Sequence, residues 1–128
     1  MLLVILVHGL HAGWCTYCKQ QAAGMEAMYQ NYKQQGLRIL LVLFEDEQGS
    51  SDHDKLLEYT CSYRDRYGMT FTLAIDPGAE VMDQFFRPTE AGTPLNMLLD
   101  KDMTIRFKLE GVIPETLEGN IEALLSEG

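Results

Sequence analysis

Two apolar runs flanking one helical stripe constrain this chain more than any other feature. Leu2–Val7 reads L-L-V-I-L-V and Leu37–Phe44 reads L-R-I-L-L-V-L-F. Neither run alternates apolar with polar residues, the pattern of strands covered on both faces in a parallel sheet. Between them Cys18, Ala22, Met25, Tyr29 and Tyr32 are spaced by four, three, four and three residues, as on one face of a helix. Gly36 stands where a helix C-terminus takes a left-handed residue. These segments predict a β-α-β unit with a right-handed crossover. Residues 8–14, H-G-L-H-A-G-W, carry two glycines and are expected to break the first strand.

The remaining pattern extends this unit. Glu45–Asp54 is polar and reads as a loop, with Ser51 or Asp52 able to cap the helix that follows. Leu56, Thr60, Tyr63 and Tyr67 form its stripe, Leu57 and Cys61 lie beside it, and Gly68 ends it. Phe71–Ile75 is a short strand, and Asp76-Pro77-Gly78 turns into a short helix with Val81, Met82, Phe85 and Phe86. Arg87–Thr93 is irregular and ends at Pro94. Leu95–Leu99 and Met103–Leu109 flank Asp100-Lys101-Asp102 and predict a β-hairpin. Pro114 suits the first turn of a last helix with Leu117, Ile121, Leu124 and Leu125 on its apolar face. The order β-α-β-α-β-α-β-β-α predicts an α/β fold, a mixed sheet with helices on both faces. With 128 residues and no linker or repeat, residues 1–128 are expected to form one domain.

Charge narrows the function. Ten Lys and Arg stand against 19 Asp and Glu, a net charge of -9. Such a surface repels phosphate backbones and anionic lipid heads, so neither nucleic acid nor a membrane surface is an expected partner. The longest apolar run, Met1–Val7, falls far short of the roughly 20 residues that span a bilayer. No basic residue precedes it and no small-residue cleavage site follows, so it does not read as a signal peptide. Three cysteines, an odd number, argue against a disulfide-stapled scaffold.

Two of them form the segment Trp14-Cys15-Thr16-Tyr17-Cys18. Cys15 lies where the first strand gives way to its helix. The partial positive charge and free N–H groups of a helix start stabilise a thiolate there. Cys18 is one turn further on, within reach of a mixed disulfide formed at Cys15. A second reading takes His8, His11, Cys15 and Cys18, H-x-x-H-x-x-x-C-x-x-C, as four ligands for a tetrahedral zinc or copper ion. A third is a catalytically idle interaction domain. Cys61 shares a helix face with Leu57 and is expected to be a buried spectator, and Met25 and Met28 to fill the core. Asp46 and Glu47 look like surface charge, and Glu45 beside them like a solvated loop carboxylate.

W-C-x-x-C after an apolar strand, followed by Gly92-Thr93-Pro94 and L-L-D-x-D before a hairpin, resembles the thioredoxin superfamily. Within it the chain is most similar to the TlpA/ResA-like, redoxin-type thiol-disulfide oxidoreductases, over nearly its whole length. The resemblance implies a thioredoxin fold of about five strands, with the helix and strand at 52–75 as that branch's insertion. It implies that Cys15 attacks and Cys18 resolves, that Trp14 borders the site, and that Thr93-Pro94 is a cis-proline element facing the dithiol. Glu45, at the end of the second strand, resembles a carboxylate placed near the active site in ResA-like proteins. The partners implied are protein clients and an external redox partner, with no cofactor, a monomeric state and an extracytoplasmic site. The sequence departs from the family at Gly9, which stands where thioredoxin has a buried aspartate. It also departs at Thr16-Tyr17, which contains no proline, and in beginning directly at the core strand. A thiol peroxidase would carry threonine three residues before Cys15, where this chain has Ala12.

Overall fold

The structure is a computed structural model that describes residues 3–85, 94–111 and 114–127. Five strands form one mixed sheet: β1 (Val4–Ala12), β2 (Leu37–Glu45), β3 (Thr72–Ile75), β4 (Leu95–Leu99) and β5 (Ile105–Glu110). Their order across the sheet is β3-β2-β1-β4-β5. β1, β2 and β3 run parallel, and β4 and β5 pair antiparallel to their neighbours. The two non-alternating runs are therefore the two central parallel strands.

Three α-helices accompany the sheet: α1 (Thr16–Tyr32), α2 (His53–Tyr67) and α3 (Pro114–Leu125). They contribute Ala22 and Met25, Leu56 and Tyr63, and Leu117, Ile121 and Leu124 to one core, against Val4 and Leu6 of β1 and Leu37, Ile39, Leu41 and Leu43 of β2. The opposite face is covered by Met82 and Ala79, which pack with Leu10, Val42, Leu95 and Met97. The short helix expected after Asp76 is two 3-10 turns, Pro77–Ala79 and Met82–Phe85. The buried Asp76 carboxylate accepts the N–H groups of Val81 and Met82, which fixes this cover. Phe86, the stretch Arg87–Thr93 and Leu2 lie outside the described residues.

The helix ends follow the sequence. Gly36, at φ 117°, stops the 3-10 turn that finishes α1, and Asp52 caps α2 by accepting the Lys55 N–H at 3.1 Å. Two expectations fail. β1 does not end at Val7 but continues through His8-Gly9-Leu10-His11 to Ala12, because a bulge absorbs the irregular segment. His8 pairs with Leu41 and His11 with Leu43, so three steps on β1 match two on β2. Leu10 takes the left-handed backbone, φ 51°, that this extra residue requires. Cys61 is exposed, not buried. It does share a face with Leu57, but that face points to solvent, since Leu56, Thr60 and Tyr63 turn toward the sheet.

Candidate active site

The end of β1, the start of α1 and the end of β2 converge on the cysteine pair. Cys15 is the N-cap of α1, with extended backbone at φ -84° and ψ 113°. Its sulfur accepts the Cys18 N–H at 3.2 Å, so it takes the place that a serine or aspartate oxygen fills at an ordinary helix start. Cys15 and Cys18 are joined as a disulfide, with Cα atoms 5.2 Å apart. Cys15 is 4% exposed and Cys18 fully buried, packed with Ala12 and Phe44. An attacking group from outside therefore meets Cys15 first.

Trp14, next to Cys15 in the chain, pairs with Glu45 at the end of β2. The Trp14 indole N–H donates to Glu45 Oε1 at 2.7 Å, and the ring meets Phe44 edge-on. Glu45 is half-buried and fixed on the active-site turn, not a freely solvated loop carboxylate. Its carbonyl also accepts the Gly13 N–H at 3.1 Å. Asp46 departs from its expectation as surface charge. It is buried, because its Oδ1 accepts the N–H groups of Gln48 and Ser50 and closes the loop after β2. Tyr17 is 69% exposed between the cysteines. Pro94 is buried at the head of β4, and its carbonyl accepts the Gly111 N–H. Thr93, and with it the Thr93–Pro94 peptide bond expected to be cis, lies outside the described residues.

At Gly9 the space of a side chain is taken by the Met82 methyl group from the opposite cover of the sheet, so a larger residue there requires that flexible side chain to move.

His8 and His11 do not join the cysteines as metal ligands. Both rings are buried, and their nitrogens belong to a hydrogen-bonded chain. His8 Nδ1 lies 2.8 Å from Asn96 Oδ1, His8 Nε2 lies 2.8 Å from His11 Nδ1, and His11 Nε2 lies 2.7 Å from the Tyr63 hydroxyl. Gln21 and Asn96 exchange amide hydrogen bonds at 2.8 and 3.2 Å. Burial pushes the His8 pKa down to about 4 against a smaller rise from the Asn96 bond. Burial, then the neighbouring His8, pushes His11 well below its ordinary value. Among the described residues no three His, Cys, Asp or Glu side chains are grouped to hold a metal ion. The zinc or copper reading thus finds no donor set.

Gln21 and Asn96 were not singled out in the sequence. The signal was a polar residue on an apolar face: Gln21 falls three after Cys18 and four before Met25 on the helix stripe, and Asn96 interrupts L-N-M-L-L.

The AhpC/TSA family model matches residues 3–108 of the chain. The thiol-disulfide oxidoreductase ResA of Geobacillus kaustophilus is 25% identical over 112 residues, which cover 87% of this chain and 58% of that protein. ResA of Bacillus anthracis is 25% identical over 114 residues, 89% of this chain and 57% of the relative. The chain thus spans a little under three fifths of the length of these relatives. Among solved structures, a thioredoxin-family thiol:disulfide interchange protein from Chlorobium tepidum superposes with a TM-score of 0.76 at 12% identity, covering 96% of this chain and 80% of that one. A thiol:disulfide interchange protein from Bacteroides sp. gives 0.72 at 17% identity, covering 97% and 74%. The fold is the thioredoxin fold. Among the described residues no helix is long and apolar enough to cross a membrane.

Proposed function

The chain belongs to the AhpC/TSA family, and from that premise we propose that it is a thiol-disulfide oxidoreductase working through Cys15 and Cys18 on protein clients. The observation that carries the proposal is the Cys15–Cys18 disulfide at a helix N-terminus, with Cys15 the slightly more exposed of two buried cysteines. In the reductive direction the Cys15 thiolate attacks one sulfur of a client disulfide. A Cys15–client disulfide forms and the other client sulfur leaves as a thiolate. The Cys18 thiolate then attacks the Cys15 sulfur, closes the internal disulfide and releases the second client thiolate. Two electrons pass to the client, each released thiolate takes one proton, and an external dithiol must reduce the pair again.

The helix start supplies the electrostatics. When the disulfide opens, the Cys18 N–H and the positive end of α1 favour the Cys15 thiolate. Trp14 walls the dithiol, and Glu45, held by that indole, is the carboxylate this reading assigns to the site. Thr93 and Pro94 belong to this reading as the segment that pairs with an extended client. One domain over 1–128, a monomeric state and an extracytoplasmic location also belong to it, supported by resemblance to ResA-like proteins.

Single substitutions test the assignment. Cys15→Ser is expected to abolish reduction of insulin disulfides. Cys18→Ser is expected to accumulate mixed disulfides with clients, visible on non-reducing gels. Alkylation of Cys18 before Cys15 at neutral pH in the reduced protein would reverse the two roles.

A further inference from the structure

The hydrogen-bonded chain of Gln21, Asn96, His8, His11 and Tyr63 is not used by the chemistry above, yet Gln21, His11 and Asn96 sit close in sequence to parts of the site. Gln21 is one helical turn beyond Cys18 on the buried face of α1. His11 precedes Ala12, whose carbonyl accepts the Cys15 N–H at 3.1 Å and whose side chain packs on both cysteines. Asn96 is two residues beyond Pro94 and pairs across the sheet with His8.

The chain is ordered as well as buried. With Asn96 Oδ1 accepting, His8 carries its proton on Nδ1, and its Nε2 accepts from His11 Nδ1–H. His11 Nε2 then accepts the Tyr63 hydroxyl proton. Each imidazole holds one proton and uses both nitrogens, consistent with two neutral rings. In a regular strand His8 and His11, three residues apart, face opposite ways. The bulge at Leu10 puts both on the helix-covered face, and the chain exists only because of it. Apolar residues would fill this space without directional bonds, whereas a satisfied polar network admits one arrangement of the elements it joins.

We infer that Gln21 and Asn96, anchored by the His8–His11–Tyr63 chain, are positioning residues that fix the Cys18-bearing turn of α1 against the Pro94 end of β4. They thereby set where a client chain lies relative to Cys15. The inference rests on the proposed function and specifies which buried groups hold Pro94, at the head of β4, in register.

The test compares a docked substrate with one that needs no docking. Asn96→Leu and Gln21→Met, singly and together, are pre-reduced and assayed with insulin and with the small disulfide 5,5′-dithiobis(2-nitrobenzoate). A displaced docking segment is expected to raise KM for insulin by about ten- to a hundredfold, the scale of an ångström-sized misplacement. The rate of the first attack on the small disulfide should stay within about twofold, because that step needs neither a docked chain nor the Cys18 thiol. The double variant should be no worse than the worse single one, since the two amides act as one device. Unchanged insulin kinetics in folded variants would overturn the inference, and so would equal slowing with both substrates, the mark of general loosening. If Asn96→Leu does not fold, Gln21→Met decides by the same criteria. Wild-type protein that reduces the small disulfide but not insulin would overturn the proposed function, and this inference with it.

Discussion

A methyl group added to Gly13 has no room. Its Cβ would sit 2.5 Å from the Tyr59 hydroxyl and 2.7 Å from the Glu47 backbone nitrogen, so α2 and the loop after β2 both press on the turn before Trp14. Because one of the two neighbours is backbone, rotating a side chain does not relieve the clash. Gly13→Ala is therefore expected to lose about 1–3 kcal/mol, the range for overpacked sites, in urea unfolding. An unchanged midpoint would show that the turn yields freely. Cys61 is the opposite case, a thiol with nothing packed over it. In the oxidised, folded protein a maleimide should label Cys61 and leave Cys15 and Cys18 untouched. Cys61→Ala should shift stability by no more than about 0.5 kcal/mol, as at other surface positions. Loss of turnover in that variant would bring the third thiol into the redox cycle.

At the scale of the element, α2 is held at both ends by local chemistry. Asp52 accepts the Lys55 N–H, and Gly68, at φ 62°, donates its N–H back to the Arg64 and Asp65 carbonyls. Asp52→Ala removes the N-terminal acceptor and should cost about 1 kcal/mol, read as a lower thermal midpoint. The same helix brings Tyr59 onto Gly13 and Tyr63 onto His11, so its fraying reaches the active-site turn. β1 behaves differently, because its regular half is fixed by apolar pairing and its irregular half by a bulge. Val4 to His8 pair with Leu37 to Leu41 without a break, and the register slips only where the two histidines turn inward.

For the whole molecule, the buried histidines make stability depend on acid. The folded state holds the His8 pKa at about 4, below the ordinary 6.5, so the unfolded chain binds protons more readily between those values. Stability is then full above pH 6.5 and is lost as pH falls toward 4. His8 alone accounts for up to about 3 kcal/mol by linkage, and His11 works in the same direction. Carboxylates act lower: the Arg106 guanidinium bonded to Glu127 holds that carboxyl below its ordinary 4.5, so its contribution goes only beneath that pH. Chemical denaturation at pH 7, 6 and 5 should therefore show a falling unfolding free energy before the carboxylates titrate. A flat profile over that range would mean that the two rings are not held neutral in the folded protein.

Much of the fold is written in periodicity, because burial on both faces of a strand and on one face of a helix imposes repeats of fixed length. The central strands at 4–7 and 37–44, the stripe Cys18–Ala22–Met25, the stops at Gly36 and Gly68, and the hairpin around Asp100 all follow from such local rules. The cysteine pair at a helix start is equally legible, since spacing alone puts Cys18 one turn from Cys15. What depends on contacts distant in sequence is not. Whether the Leu57–Cys61 face of α2 meets sheet or solvent is decided by how the helix docks. The ring nitrogens of His8 and His11 are claimed by Asn96, 88 residues from His8, and by Tyr63, 52 residues from His11. Periodicity carries no information about such partners. Only the folded chain, with its bulge at Leu10, turned what reads as a row of metal ligands into a buried chain beneath a thiol site.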